Sequence, residues 1–238
     1  MAKKEHYLII DTETTCKDHV VDFGAVVVDR KGRIHRSCAV LIKGIFDREP
    51  LFSIKSADNG DLWSTAGQTR RMEKYRKMLD EGSRMLCSVA AINRWLEKVN
   101  GMYKPYLTAY NLAFDVDKMG KTMIDHTIFR DRFCLWHASA AKWGSTKAYK
   151  NFVLQSHAFN APTDLGNMTF QTNAEIMARF VIGDHDLPAE PHTALEDVIG
   201  YELPILVKLV NSKGWKKFTS ASGYDWKSYQ VRDHFEAK

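Results

Sequence analysis

The 238-residue sequence predicts an α/β fold, a mixed five-stranded sheet flanked by helices. Two observations predict it. Three apolar, β-branched runs, near 6–11, 20–28 and 34–42, follow one another with no room for helices between them. After them, strand-like runs alternate with amphipathic segments, the order that lays helices on the faces of a sheet. The chain has no internal repeat or low-complexity stretch, and its hydrophobic content of 45% suffices for one substantial core.

Taken in order, Tyr7-Leu8-Ile9-Ile10 reads as a short buried strand bounded by a turn region over 11–18. Asp11 and Glu13 stand two residues apart, so along an extended backbone they point to the same side. Two such carboxylates repel each other unless hard cations with oxygen ligands neutralise them, which makes the pair a candidate metal site. Alone, an Asp-x-Glu pair is more often a solvated strand end. Residues 20–28 and 34–42 supply the second and third strands, and 68–99 is mostly helical. Within it, Ser83 or Ser88 caps a helix carrying Val89, Ile92, Trp95, Leu96 and Val99.

A fourth strand over 106–110 leads into a helix whose first turn holds Asp115, where a carboxylate also complements the positive helix end. Asp117, beside Lys118, reads as a surface residue. A fifth strand falls within 132–138, and helices follow near 173–182 and 194–210. The last has an apolar stripe of Leu195, Val198, Ile199, Leu203 and Leu206, with Asp197 inside it and His192 just before it. An imidazole at that entry is a candidate general base near neutral pH. From residue 211 the pattern weakens, and Trp215, Tyr224, Trp226 and Tyr229 suggest a tail that packs back or meets a partner. The expected division is a domain over 1–210 and a basic, aromatic extension over 211–238.

The net charge of +5 favours an anionic partner without identifying it. Basic residues cluster at Arg70, Arg71, Lys74, Arg76 and Lys77, and again at Lys213, Lys216 and Lys217; each cluster reads equally as a solvated face or as a phosphate contact. Cys16, Cys38, Cys87 and Cys134 lack zinc-ligand spacing and read as reduced thiols. The first apolar run is too short for a signal peptide and no segment reaches membrane-span length, so the expectation is a soluble, cytoplasmic protein.

Asp11-Thr12-Glu13-Thr14-Thr15, then Asn111-Leu112-Ala113-Phe114-Asp115, then His192 with Asp197 resemble, in order and interval, the three-motif signature of the DEDDh exonucleases. That group contains polymerase proofreading subunits and ribonuclease T-like enzymes. Each motif is common, whereas the ordered set is specific, and the resemblance covers roughly residues 6–210. It implies a ribonuclease H-like sheet and two divalent cations, Mg²⁺ or Mn²⁺, about 4 Å apart. It further implies that Asp11 lies between the metals, that Glu13 and Asp197 complete the side of the attacking water, and that Asp115 holds the second metal, partly through water. His192 would take the proton of that water, and nucleoside 5′-monophosphates would leave stepwise from a 3′ end.

The implied substrate is single-stranded nucleic acid, with DNA slightly ahead of RNA. Thr12, Thr14, Asn111 and Phe114 are candidate substrate contacts, with Phe23 as a second candidate for stacking on a base. No residue announces a contact to a 2′-hydroxyl. The alternatives are an exoribonuclease that trims RNA 3′ ends and a non-catalytic nucleic-acid-binding or polymerase accessory module; a homodimer and a replication or repair partner both stay open. Four clustered carboxylates facing a polyanion argue against binding alone. Cys16 stands where the family usually has Gly and Asp22 where it commonly has Glu, which affects the shape of the first loop. Residues 44–68, with Asp58-Asn59-Gly60-Asp61, align poorly with the family and are a candidate for substrate preference.

Overall fold

The computed structural model describes residues 5–162 and 166–223. Strands β1 (His6–Thr14), β2 (Val20–Asp29) and β3 (Ile34–Ile42) form an antiparallel meander. Helix α1 (Thr65–Asp80), strand β4 (Met85–Cys87), helix α2 (Val89–Tyr103) and strand β5 (Tyr106–Ala109) follow. The chain continues through α3 (Leu112–Lys121), β6 (Arg132–Cys134), α4 (Leu135–Ser139), α5 (Lys147–Gln155), α6 (Ala174–Ile182), α7 (Ala194–Asp197) and α8 (Leu203–Val210). The strand order is β4-β3-β2-β1-β5-β6, with β4, β5 and β6 each parallel to its neighbour.

This is the mixed sheet flanked by helices that the ribonuclease H-like reading implies, with six strands where five were expected. The additional strand, β4, interrupts the stretch over 68–99 that reads as mostly helical. It is three residues long with Met85 and Leu86 exposed, so neither length nor alternation marks it; its pairing with Val40, Leu41 and Ile42 makes it a strand. Helix α5 is also unexpected. Ser88, rather than Ser83, caps α2 by accepting a hydrogen bond from the Ala91 N–H.

All ten residues of β2 are buried because both sheet faces are covered. On one face Tyr7, Ile9, Val26 and Val28 pack with residues of α4, α5, α6 and α8. On the other, Leu8, Ile10, Ala25 and Val27 pack with residues of α2 and α3. Each fully buried aliphatic side chain of these layers contributes roughly 1.5–3 kcal/mol, so the centre of β1 is among the most firmly held parts of the chain. A smaller cluster of Val21, Leu41, Phe46, Leu51 and Tyr75 anchors α1 and the preceding segment to the sheet end.

Trp215 is buried and meets Tyr7, Tyr106 and Phe133, so the chain just past residue 211 packs on the core. Tyr224, Trp226 and Tyr229 lie outside the described residues. The four cysteines are free thiols. Among the described residues no helix is long and apolar enough to cross a membrane.

Candidate active site

β1 runs past the turn expected at residue 11 and ends at Thr14, whereas its pairing with β5 stops at Ile9 opposite Thr108. Beyond that point β5 no longer pairs with β1. By strand alternation Asp11 and Glu13 continue the Tyr7 and Ile9 face, while Thr12 continues the Leu8 and Ile10 face. Thr12 Oγ1 donates to Asp115 Oδ1 at 2.9 Å, which ties α3 to the strand end. Asn111, with φ 82°, turns the chain from β5 into α3 in the left-handed conformation that asparagine tolerates. Its side chain makes no capping bond and lines a cavity together with Asp11 and Asp115.

The last motif arrives on α7, whose entry crosses the sheet at Gly24, the residue paired with Asp11. A Cβ at Gly24 would lie 2.3 Å from both the Ala194 carbonyl carbon and the Leu195 nitrogen, so only glycine admits this approach. Asp22, two residues away on β2, accepts from the Ala194 N–H at 3.0 Å and from Arg84 Nε at 2.9 Å. Arg84 also donates to Glu196 Oε2 at 2.5 Å, so one guanidinium links β2 to the start of α7. Burial pushes the Asp22 carboxyl up despite Arg84; burial also works against the guanidinium, but Asp22 and Glu196 outweigh it and hold Arg84 above its ordinary value.

The Asp22 and Arg84 side chains are fully buried. Removing one partner leaves the other charge uncompensated, so Arg84→Ala is expected to lower stability by about 3–5 kcal/mol, read from the denaturant midpoint. An unchanged midpoint would show that the pair does not hold α7 to the sheet.

A cavity of about 450 Å³ receives Asp11, Glu13, Asp115, His192 and Asp197 together with Thr12, Thr14, Asn111 and Phe114. Ligand atoms of Glu13, His192 and Asp197 lie within 4.8 Å of one another. The Thr193 N–H donates to Asp197 Oδ2 at 2.9 Å, while Oδ1 has no hydrogen-bond partner among the described residues. Burial, then the neighbouring carboxylates, raises Asp11 well above the usual carboxylate range and raises Glu13 as well. Burial also raises Asp115, and raises Asp197 to about 8, with Glu190 adding to the latter. Crowded, desolvated oxygens with an unpaired acceptor among them fit hard divalent cations.

His192 adopts φ 51°, a left-handed conformation costing about 1–3 kcal/mol for a non-glycine residue. Lys74 Nζ donates to the Pro191 carbonyl at 2.9 Å, and the Thr193 bond to Asp197 fixes the other side. Burial, followed by Arg71, lowers the imidazole below its ordinary value, which favours the neutral ring.

The poorly aligned segment over 44–68 belongs to the site. The Phe52 N–H donates to the Thr14 carbonyl and the Cys16 N–H to the Pro50 carbonyl, laying the segment along the end of β1. It brings Phe52 and Trp63 to the cavity, and Trp63 meets His192 edge-on at 4.9 Å. Arg71 lies 4.7 Å over the Trp63 ring and donates to the carbonyls of Leu62 and Phe52. Within the basic cluster of α1, Arg71 and Lys74 therefore hold the segment and the His192 turn instead of presenting free charge. Phe23 is fully buried in the core, which excludes it from base stacking; Phe114 is 42% exposed at the rim. Asp117 is on the surface, paired with Lys118 and Lys121.

The path of this chain is similar to that of exonuclease I. An exonuclease I complex with the inhibitor BCBP aligns at 14% identity and a TM-score of 0.48, covering 91% of this chain and 43% of that one. E. coli exonuclease I in complex with a 5cy-dT13 oligonucleotide aligns at 16% and 0.47 over 90% and 42%, and an apo exonuclease I at 15% and 0.47 over 86% and 42%. This chain thus spans less than half the length of those proteins. No protein-family model and no curated protein matches the sequence.

Glu190, Glu202, Trp63, Tyr110 and Trp136, which no sequence motif marks, also line the cavity. Glu190, raised by burial to about 7, lies in the loop before His192. Its place two residues before His192 is the sequence signal that points to it.

Proposed function

We propose that this protein is a metal-dependent 3′→5′ exonuclease that releases nucleoside 5′-monophosphates from single-stranded ends, DNA ahead of RNA. The observation that carries the reading is convergence: Asp11, Glu13, Asp115, His192 and Asp197 come from three distant stretches of sequence and share one cavity. Asp11, Glu13, Asp115 and Asp197 would hold Mg²⁺ or Mn²⁺. When bound, such cations offset phosphate charge, acidify water and stabilise a departing oxygen.

The protein's own groups do the rest. His192, whose neutral form burial and Arg71 favour, accepts the proton of the attacking water on a ring nitrogen, and Trp63 and the Lys74 bond to the Pro191 carbonyl keep the imidazole turned to the cavity. Thr12 holds Asp115 in place. Phe52 and Trp63 stand at the cavity with Phe114, Tyr110 and Trp136, a set of aromatic faces suited to unpaired bases of any sequence. Asn111, free of a capping role, offers an amide to the terminal nucleotide.

His192→Ala is expected to slow single-turnover cleavage by about 10²–10⁴-fold, the range for losing general acid–base assistance. A rate within threefold of the wild type would remove His192 from the mechanism. The reading as a whole is tested on 5′-labelled DNA and RNA of matched sequence with Mg²⁺, Mn²⁺ or EDTA. A metal-dependent ladder shortening from the 3′ end is the expected result, faster on DNA. Intact substrate under every condition overturns the reading, and a faster RNA ladder reassigns the sugar.

A further inference from the structure

Five residues beyond Asp197 the chain places another buried carboxylate. Glu202 is 2% exposed, lines the cavity, and its Oε2 has no hydrogen-bond partner among the described residues. On a regular α-helix, at 3.6 residues per turn, residue 202 would point about 140° away from residue 197. Here Val198–Glu202 is a π-helical turn, closed by the Leu203 N–H donating to the Val198 carbonyl. A turn whose bonds span five residues brings position 202 back beneath position 197, toward the sheet end.

We propose that Glu202 is an additional acidic ligand of the cation site, acting beside Asp11 and Asp115 directly or through one bound water. The inference rests on the metal-dependent reading above and extends its ligand set.

Three observations support it. A glutamate buried to this degree, with one oxygen unpaired, is costly unless something in the cavity completes it. The wide turn, itself a departure from the favoured helix, aims the side chain into the cavity lined by Asp11, Glu13, Asp115 and Asp197. Of the charged groups acting on Asp11, Glu202 has the largest influence, and Asp115 has the largest on Glu202. Glu202 shares the cavity with Asp11 and Asp115, and like-charge repulsion among the three adds to the cost of leaving that carboxylate uncompensated.

The consequence is electrostatic. With Glu202 the proposed ligand set holds five carboxylates, beside Glu190 in the same cavity, and two divalent ions would balance four negative charges. Glu202 is thereby expected to tighten cation binding in the absence of nucleic acid.

The test measures Mn²⁺ binding to nucleic-acid-free protein by electron paramagnetic resonance, comparing wild type, Asp11→Asn and Glu202→Gln. Diffraction from Mn²⁺-soaked wild-type crystals locates the ions. The expected result is a dissociation constant raised by about 10–100-fold in Glu202→Gln, the range for losing an inner or supporting ligand. The expected density has an ion in contact with Oε2, direct or through one water. An unchanged constant in Glu202→Gln, with Asp11→Asn impaired, overturns the role of Glu202 and leaves the metal-dependent reading standing. Ions located away from Glu202 do the same, and this arm decides the matter if the variant does not fold. Wild-type protein that binds no Mn²⁺ overturns both.

Discussion

Replacing Asp11 with asparagine is expected to slow 3′-end shortening by at least about 10³-fold while leaving the chain folded. Asp11 belongs to the proposed ligand set, and after burial the charges of Glu202, Asp115, Glu13 and Asp197, in that order, raise its carboxyl. Its loss would weaken the hold on the proposed cations, and several kcal/mol of transition-state stabilisation at about 1.4 kcal/mol per decade correspond to about 10³-fold or more. The fold should survive because the substitution is isosteric and removes charge from a crowded, buried site. In EDTA the variant should melt no lower than wild type. In Mn²⁺ the wild type should gain thermal stability through ligand binding and the variant should lose that gain. Wild-type turnover by Asp11→Asn would sink the assignment of the carboxylates to metal, whatever its melting temperature.

The second large effect is expected from a residue that touches no substrate. Gly24→Ala introduces a methyl group 2.3 Å from the backbone of Ala194 and Leu195, where no flexible side chain can yield. Either β2 bends or the start of α7 lifts, and overpacking of this kind costs about 1–3 kcal/mol. Lifting α7 carries His192 and Asp197 away from Asp11 and Glu13, and a misplacement of about 1 Å suffices for a loss of about 10²-fold in rate. The expected outcome is a lower denaturant midpoint with turnover reduced by at least that factor. Turnover within threefold of wild type would mean that the position of α7 is not set by its contact with the sheet at Gly24. Together with Arg84→Ala, which loosens the same helix from its ion-paired side, this separates the geometry of the last motif from the chemistry of its residues.

Three features of this protein were readable without coordinates. The alternation of a strand puts Asp11 and Glu13 on one side and Thr12 on the other, because the side-chain period of two is a local property of extended backbone. The helical turn holding Asp115 and the helix of Asp197 with His192 at its entry could be assigned because the charge preference of a helix start and amphipathic periodicity are also local. The order of the motifs then suggested that they meet, and the cavity contains them all.

Other features were decided only by packing between distant parts of the chain. β4 is a strand because β3 offers it an edge, not because its three residues prefer that state. Trp63 reaches His192, and Arg71 and Lys74 are turned from solvent to structural roles, because residues 50–54 are laid along the end of β1 by backbone bonds that carry no sequence signature. Glu202 looks from its spacing like a residue of the wrong helix face, and a single wide turn reverses that. Periodicity describes where a side chain points relative to its own backbone; which two backbones approach within a few ångströms is settled by the whole core, and Gly24 under Ala194 is where that decision is made for this site.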